Sequence, residues 1–301
     1  MSYFKVIKAG ILTTIQDLGR FGYMDIGITQ SGAMDEEAFL WANRLLQNNP
    51  NTNMLEITYG NFELQSFGDT IFCVTGAEAD IWLNSKKINR YRCYKIKKGD
   101  RVKIGFVKRG VRLYLAVKGG FLDKKELGSY SVSIKEDIKR AIKIGDRVNF
   151  KPSNSRILGY LKDEYIPKIS NYLELRVVLG YEYKEFATKE LKRLFSSTFK
   201  VKSHNRMGYF LSGATIDTNN LEIISNPISF GAIQITSKGE PIILLKERQS
   251  IGGYPKIGSV IPTDCFKLAQ LKEGDSITFK TISLKEATKI TREFYKSFLL
   301  N

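Results

Sequence analysis

Three glycine-rich stretches carry the side chains whose types and spacing could do chemistry. The first, TTIQDLGRFGYMDIGITQSGAMDEEAF (residues 13–39), sets Gln16, Asp17, Arg20, Ser31 and Asp35 among Gly19, Gly22, Gly27 and Gly32. The second, SHNRMGYFLSG (203–213), offers Asn205, Arg206 and Tyr209. The third, LLKERQSIGGYPKIGSV (244–260), offers Lys246, Arg248, Gln249 and Tyr254 beside Gly252 and Gly253. Glycine lets backbone N–H groups come close to an anion. Arginine supplies a planar fork for a carboxylate or carboxamide. Glutamine and asparagine both donate and accept, so they can read an amide or a lactam. Together these groups suit a small, planar, polar ligand with carbonyl oxygens. Each also has a purely structural reading. Asp17 ahead of Gly19 fits a plain turn, Arg20 and Arg206 fit arginines that tie loop carbonyls together, and Lys246–Glu247–Arg248 fits a solvated charge run. His204 fits a surface-loop histidine.

Other chemistries are excluded by what is absent. The chain has one histidine, no Gly-x-Ser-x-Gly elbow, no Gly-x-x-x-x-Gly-Lys-[Ser/Thr] phosphate loop and no biotin-attachment sequence. Its cysteines, Cys73, Cys93 and Cys265, form no Cys-x-x-Cys pair and are expected as buried free thiols, and no metal site is expected. The net charge of +16 is spread along the sequence without any nucleic-acid signature, so an acidic protein partner or a lysine-rich composition accounts for it. No apolar run of membrane-spanning length occurs and the N-terminus lacks a signal-peptide pattern, so a cytoplasmic protein with no membrane partner is expected.

The elements that must position these loops are mostly short strands. Runs at 3–9, 70–76, 79–84, 92–96, 101–106 and 112–117, then 173–180, 221–226, 232–236, 241–245 and 276–280, are rich in β-branched and aromatic residues and punctuated by Gly, Asn and Asp. Helices are expected at 35–47, 183–195 and 283–300, the last opened by a Ser283/Glu286 capping box and striped by Ala287, Ile290, Phe294 and Phe298. KKGDRVKIG (97–105), KIGDRVNF (143–150) and KEGDSITF (272–279) share a Gly-Asp turn feeding a strand. GRFGY (19–23) is echoed by NRMGY (205–209), and QSGAMD (30–35) by SFGAIQ (229–234), in the same order. The expected organisation is mainly β: a first β domain at 1–150, a linker at 151–172, a related β domain at 173–282 and a C-terminal helix at 283–301.

GILTTIQDLGRFGYMDIGITQSGAMDEEAFLWANRLLQN, LEITYGNFELQSFGDTIFCVTGAEADIWLN (55–84), GVRLYLAVKGGF (110–121), SHNRMGYFLSG, ISFGAIQITSKGEPIILLKERQSIGGYPKIGSVI (228–261) and LAQLKEGDSITF (268–279) resemble the biotin-dependent carboxyltransferase-like family. Its members include the C-type subunit of 5-oxoprolinase, the allophanate hydrolase subunit 2 family and a domain of urea carboxylase. The resemblance spans nearly the whole chain. It implies two cyclophilin-like β-barrel domains with a few helices, working with B-type and A-type partner subunits. The implied activity is that of the C-type subunit of a bacterial ATP-dependent 5-oxoprolinase, a hydrolase that opens the lactam of 5-oxo-L-proline to L-glutamate. ATP is then used by the complex, with no cofactor bound by this chain alone. Relatives also imply two other roles: a carboxyltransferase component that moves a carboxyl group from carboxybiotin to urea or a small amide, and a non-catalytic regulator of a B-type, kinase-inhibitor-like partner.

In the oxoprolinase reading Arg20, Arg206 and Arg248 stabilise developing negative charge. Asp17 is a general base or orients Arg20. Gln16, Asn205 and Gln249 orient the ring amide, with Ser31 and Tyr254 also at the substrate. The chain departs from its relatives at two places. Tyr130, in GSYSVS (128–133), stands where an arginine is expected, and Asn205 where an aspartate often precedes Arg-Met-Gly.

Overall fold

The computed structural model describes residues 2–155, 159–218, 221 and 224–298, which form two compact β units. The first is built chiefly from Met1–Phe21 and Ser31–Ile169, the second from Gly22–Gln30 and Ser170–Ser297. Among the described residues no helix is long and apolar enough to cross a membrane.

The first unit runs β1 (Ser2–Ala9), β2 (Leu12–Gln16), α1 (Glu36–Leu45), β3 (Met54–Thr58), β4 (Gly60–Ser66), β5 (Thr70–Leu83), β6 (Lys86–Ile88), β7 (Cys93–Ile96), β8 (Arg101–Val117) and β9 (Arg147–Phe150). Its sheet curls in the order β2-β3-β8-β4-β1-β9, and β5 leaves this path to pair with β6, β7 and β8. The curl wraps a core that includes Phe4, Val6, Ile57, Phe62, Leu64, Ile81, Ile104 and Leu113. Where four short strands were expected at 70–76, 79–84, 101–106 and 112–117, two long strands run through. In β5 the reason is Gly76. It adopts φ +91°, and a Cβ there would lie 2.3 Å from the Arg112 carbonyl oxygen, so the glycine makes a bulge inside β5 and does not end it.

The second unit runs β10 (Tyr172–Leu179), α2 (Thr188–Ser196), β11 (Phe199–His204), β12 (Gly208–Ser212), β13 (Asn226–Pro227), β14 (Ala232–Ile235), β15 (Pro241–Leu244), β16 (Ile251–Gly252), β17 (Lys256–Val260), α3 (Pro262–Leu268), β18 (Ser276–Thr281) and α4 (Leu284–Ser297). Seven strands close a barrel in the order β10-β17-β14-β15-β12-β11-β18, sealed by the parallel pair β10–β18. Of the strand expected at 221–226, Glu222 and Ile223 lie outside the described residues and Asn226 belongs to β13. The helix expected at 183–195 is split. A 3-10 turn at Tyr181–Glu185 stops at the buried, extended Phe186, and α2 starts afresh two residues later.

The repeated Gly-Asp turn is one physical device used three times. The carboxylates of Asp100, Asp146 and Asp275 accept from the backbone N–H of Lys97, Lys143 and Lys272 at 2.8, 2.8 and 2.9 Å, and each turn delivers the chain into β8, β9 or β18. The capping box also forms. Ser283 Oγ donates to Glu286 Oε2 at 2.7 Å and accepts from the Glu286 N–H at 3.2 Å. That hydroxyl holds the Glu286 carboxyl below its ordinary range. Ser283→Ala should therefore fray α4, with first-turn amides exchanging roughly five-fold faster in hydrogen-exchange measurements.

Candidate functional site

In the first unit, four of the singled-out residues converge on one loop, residues 129–132. The Asp17 carboxylate accepts four hydrogen bonds: from the Gly19 N–H (2.8 Å), the Ser129 hydroxyl (2.6 Å), the Tyr130 N–H (2.8 Å) and the Ser131 hydroxyl (2.6 Å). Arg20 is buried and its Nη2 donates to the Ser131 carbonyl. Gln16 Nε2 donates to the Val132 carbonyl at 3.1 Å and to Thr14 Oγ1 at 2.9 Å, while its Oε1 accepts from the Gly32 N–H at 3.2 Å. Ser31, held at φ +51°, also donates to the Val132 carbonyl, at 2.8 Å. The loop so gripped carries Tyr130, where the sequence resemblance leads an arginine to be expected. Cationic charge is nonetheless present there, because the ammonium groups of Lys125 and Lys139 sit 5.2 and 5.8 Å from the centre of the Tyr130 ring.

A second buried network stands behind the Ser31–Asp35 turn, and sequence reasoning missed it. Glu56 on β3 and Arg112 on β8 lie 3.9 Å apart, both buried. Glu56 Oε2 accepts from the Tyr114 hydroxyl at 2.8 Å and from the Met34 N–H at 2.9 Å, and the Tyr114 oxygen accepts from the Asp35 N–H at 2.8 Å. Burial first, then the carboxylates of Glu56 and Asp35, push the Tyr114 phenol far up, so it stays a donor. Asp35 in turn caps α1, its Oδ1 accepting from the Ala38 N–H at 3.0 Å. The available signal was a charged residue inside an otherwise apolar strand, Glu56 in MLEIT and Arg112 ahead of LYLAV.

In the second unit, the run Lys246–Glu247–Arg248 corrects the expectation of a solvated charge run, since all three side chains are buried. It follows β15, where the chain turns back beneath the β11–β12 hairpin. Leu245 N–H bonds the Met207 carbonyl at 2.7 Å, and Glu247 N–H bonds the Arg206 carbonyl at 2.9 Å. Arg206 Nε closes the contact on Glu247 Oε1 at 2.5 Å. Lys246 and Arg248 are only 2% and 5% exposed, and their cationic ends lie 4.9 and 5.9 Å from the centre of the same Phe230 ring. Arg248 donates to the carbonyls of Ile228 (2.9 Å) and Leu245 (3.2 Å) and to Met24 Sδ (3.4 Å). Burial pulls its guanidinium down to about 10, so it remains protonated at neutral pH.

The remaining singled-out residues divide by exposure and engagement. Asn205 closes the hairpin turn, its Oδ1 accepting from the Met207 N–H (2.8 Å) and the Gly208 N–H (3.1 Å). His204 stacks on Tyr209, with ring centres 4.9 Å apart. Gln249 and Tyr254 are exposed, and the Tyr254 carbonyl accepts from the buried Gln234 at 3.4 Å.

Residues 26–281 match the family described as carboxyltransferase domain, subdomain A and B. The chain is 36% identical over 286 residues to the C-type subunit of 5-oxoprolinase from Haemophilus influenzae, covering 93% of this chain and 91% of that protein. It is 33% identical over 300 residues to the corresponding 5-oxoprolinase subunit of Escherichia coli, covering 98% and 96%. Among solved structures, the K. lactis urea amidolyase superposes with a TM-score of 0.87 at 27% identity, over 98% of this chain and 20% of that one.

Proposed function

The chain belongs to the family of carboxyltransferase domains with subdomains A and B, and from that premise we propose that it is the C-type subunit of an ATP-dependent 5-oxoprolinase. In this reading it acts with A-type and B-type subunits to hydrolyse 5-oxo-L-proline to L-glutamate. Likeness over nearly the full length of two relatives named as that subunit supports the assignment. The observation that carries the chemistry is the pair of buried cations, Lys246 and Arg248, fixed on the one Phe230 ring beside the Arg206–Glu247 pair.

A lactam resists water because its amide is resonance-stabilised. Activation at the carbonyl oxygen by ATP puts phosphate charge there, and addition of water to the ring carbon puts more. Cations already desolvated and held in place stabilise such charge without reorganising, and in a low-dielectric setting they do so far more strongly than in water. Arg206 and Arg248 are assigned this role, with Lys246 added to them. Gln249 and Tyr254, both exposed, are assigned to the substrate. Asp17 and Arg20 are assigned to holding residues 129–132 in place, with Gln16 and Ser31 as their supports.

The likeness to a segment of urea amidolyase favours one second reading, a carboxyl-transfer module. The two separate in one experiment. This chain is mixed with candidate A-type and B-type subunits, and ATP-dependent glutamate release from 5-oxoproline is followed with each component omitted in turn. Release that needs all three components is expected. An assembled complex that releases no glutamate, yet consumes urea when a carboxybiotinylated carrier is supplied, overturns the assignment.

A further inference from the structure

Two of the three cysteines face each other across one pair of strands. In the antiparallel pairing of β5 with β7, Cys73 lies directly opposite Cys93, so both side chains project from the same face. Their neighbours Phe72 and Val74 enter the core of the first unit, which leaves the cysteines on the other face of the sheet. The Thr75 hydroxyl on that same face reaches the α1 carbonyl of Ala38 at 2.7 Å. The Cys93 N–H points away from β5, donating to the Gly159 carbonyl at 2.8 Å. A strand residue directs its N–H and its C=O to the same side, so Cys73 and Cys93 form a non-hydrogen-bonded pair. In such a pair the Cα atoms stand about 4.5 Å apart, inside the range a disulfide spans. Both residues are buried and both are free thiols.

We propose that Cys73 and Cys93 form a peroxide-sensitive dithiol that closes reversibly to a disulfide and staples β7 to β5. The division of labour within the pair follows from its surroundings. The hydrogen bond from Cys73, together with the Lys118 ammonium, draws the Cys93 thiol down despite burial. Burial pushes Cys73 up. Cys93, the less buried of the two at 3% against 0% and the one beside the Lys118 ammonium, is assigned as the attacking sulfur and Cys73 as the resolving one.

In the first step the Cys93 thiolate attacks one oxygen of hydrogen peroxide, the O–O bond breaks, hydroxide leaves, and Cys93 becomes a sulfenic acid. In the second step Cys73 Sγ attacks the Cys93 sulfur, the S–S bond forms and the S–O bond breaks. The departing hydroxide takes the Cys73 proton as water. The two sulfurs together lose two electrons, the peroxide gains them, and a dithiol reductant reverses the change. Cys265 lies in the second unit with its thiol against the Val260 carbonyl at 3.7 Å, and serves as the internal control.

The test treats the full-length native protein with hydrogen peroxide and counts free thiols and mass. The count should fall from three to one, with a mass loss of about 2 Da. Peptide mapping should recover Cys73 joined to Cys93, and dithiothreitol should restore all three thiols. Closing the intervening loop should raise Tm by about 5 °C. A Cys73→Ser variant should instead accumulate a sulfenic acid at Cys93, trapped by dimedone. Three intact thiols after treatment overturn the proposal, as does a Cys73–Cys93 link that appears only in denaturant, or oxidation confined to Cys265. The wild-type mapping decides the question even if the variant fails to fold.

Discussion

Arg248→Met should lower glutamate release by the assembled complex at least 100-fold while leaving Tm within a few degrees of wild type. The first half follows from the role assigned to a desolvated guanidinium, since removing one preorganised charge donor from such a site typically costs two to three orders of magnitude in rate. The second half follows from what burial does to that group. Burial holds its guanidinium at about 10 in the fold, well below its ordinary value. The unfolded chain therefore holds the Arg248 proton more tightly than the folded one. Through this group, stability rises as pH climbs above about 10 towards the ordinary guanidinium value, and at neutral pH the buried charge costs on the order of 3 kcal/mol. Methionine removes that cost. It also removes the bonds to the Ile228 and Leu245 carbonyls, each contributing about 1–2 kcal/mol, so the two effects nearly offset. An arginine present only to tie carbonyls together would give a different result, with activity falling only as far as stability fell. The pH profile supplies a second check, because activity should decline as pH rises through about 10 and Arg248 loses its charge.

How far this site was legible depends on which residues are considered. Arg20, Arg206 and Arg248 stood out because a charged residue beside glycine in a loop has few routine uses. Lys246 stood out with them but was also read, together with Glu247, as part of a solvated run, because a Lys-Glu-Arg run looks the same in sequence whether it is solvated or folded under a hairpin. Only the return of residues 245–247 against Arg206 and Met207 buries it. Strand length was misjudged for a similar reason. Gly76 reads as punctuation until Arg112 is seen against it. β2, β3 and β4 went unread because Thr13, Thr14, Gln16, Glu56, Glu63 and Gln65 interrupt their apolar pattern. Several of these polar residues are buried with partners supplied from distant segments, which sequence cannot announce: Gln16 with Val132, Glu56 with Tyr114. The Gly-Asp turns and the Ser283 cap were legible because both are local, closing within three residues.

Asp17→Ala should destabilise the first unit by about 4 kcal/mol and lower its thermal transition by about 10 °C. The carboxylate is buried and satisfies two backbone N–H groups and two serine hydroxyls at once. Removing it strands donors that water cannot reach, which is the expensive side of hydrogen-bond energetics. Asp17→Asn should recover part of the loss, since the amide oxygen still accepts while its NH2 group is forced against donors. These variants alone do not separate a positioning residue from a general base, because both roles predict lost activity. Ser129→Ala combined with Ser131→Ala does separate them. That double variant leaves the Asp17 carboxylate in place but removes two of its three bonds to the loop, keeping only the Tyr130 N–H. If Asp17 positions the loop, the double variant should lose most of its kcat with an unshifted pH profile, and Tyr130, Lys125 and Lys139 should be displaced with the loop. If Asp17 takes a proton from substrate, the double variant keeps that carboxylate and should retain its kcat. The three short bonds into that loop favour the first outcome, and a double variant that keeps its kcat would overturn it.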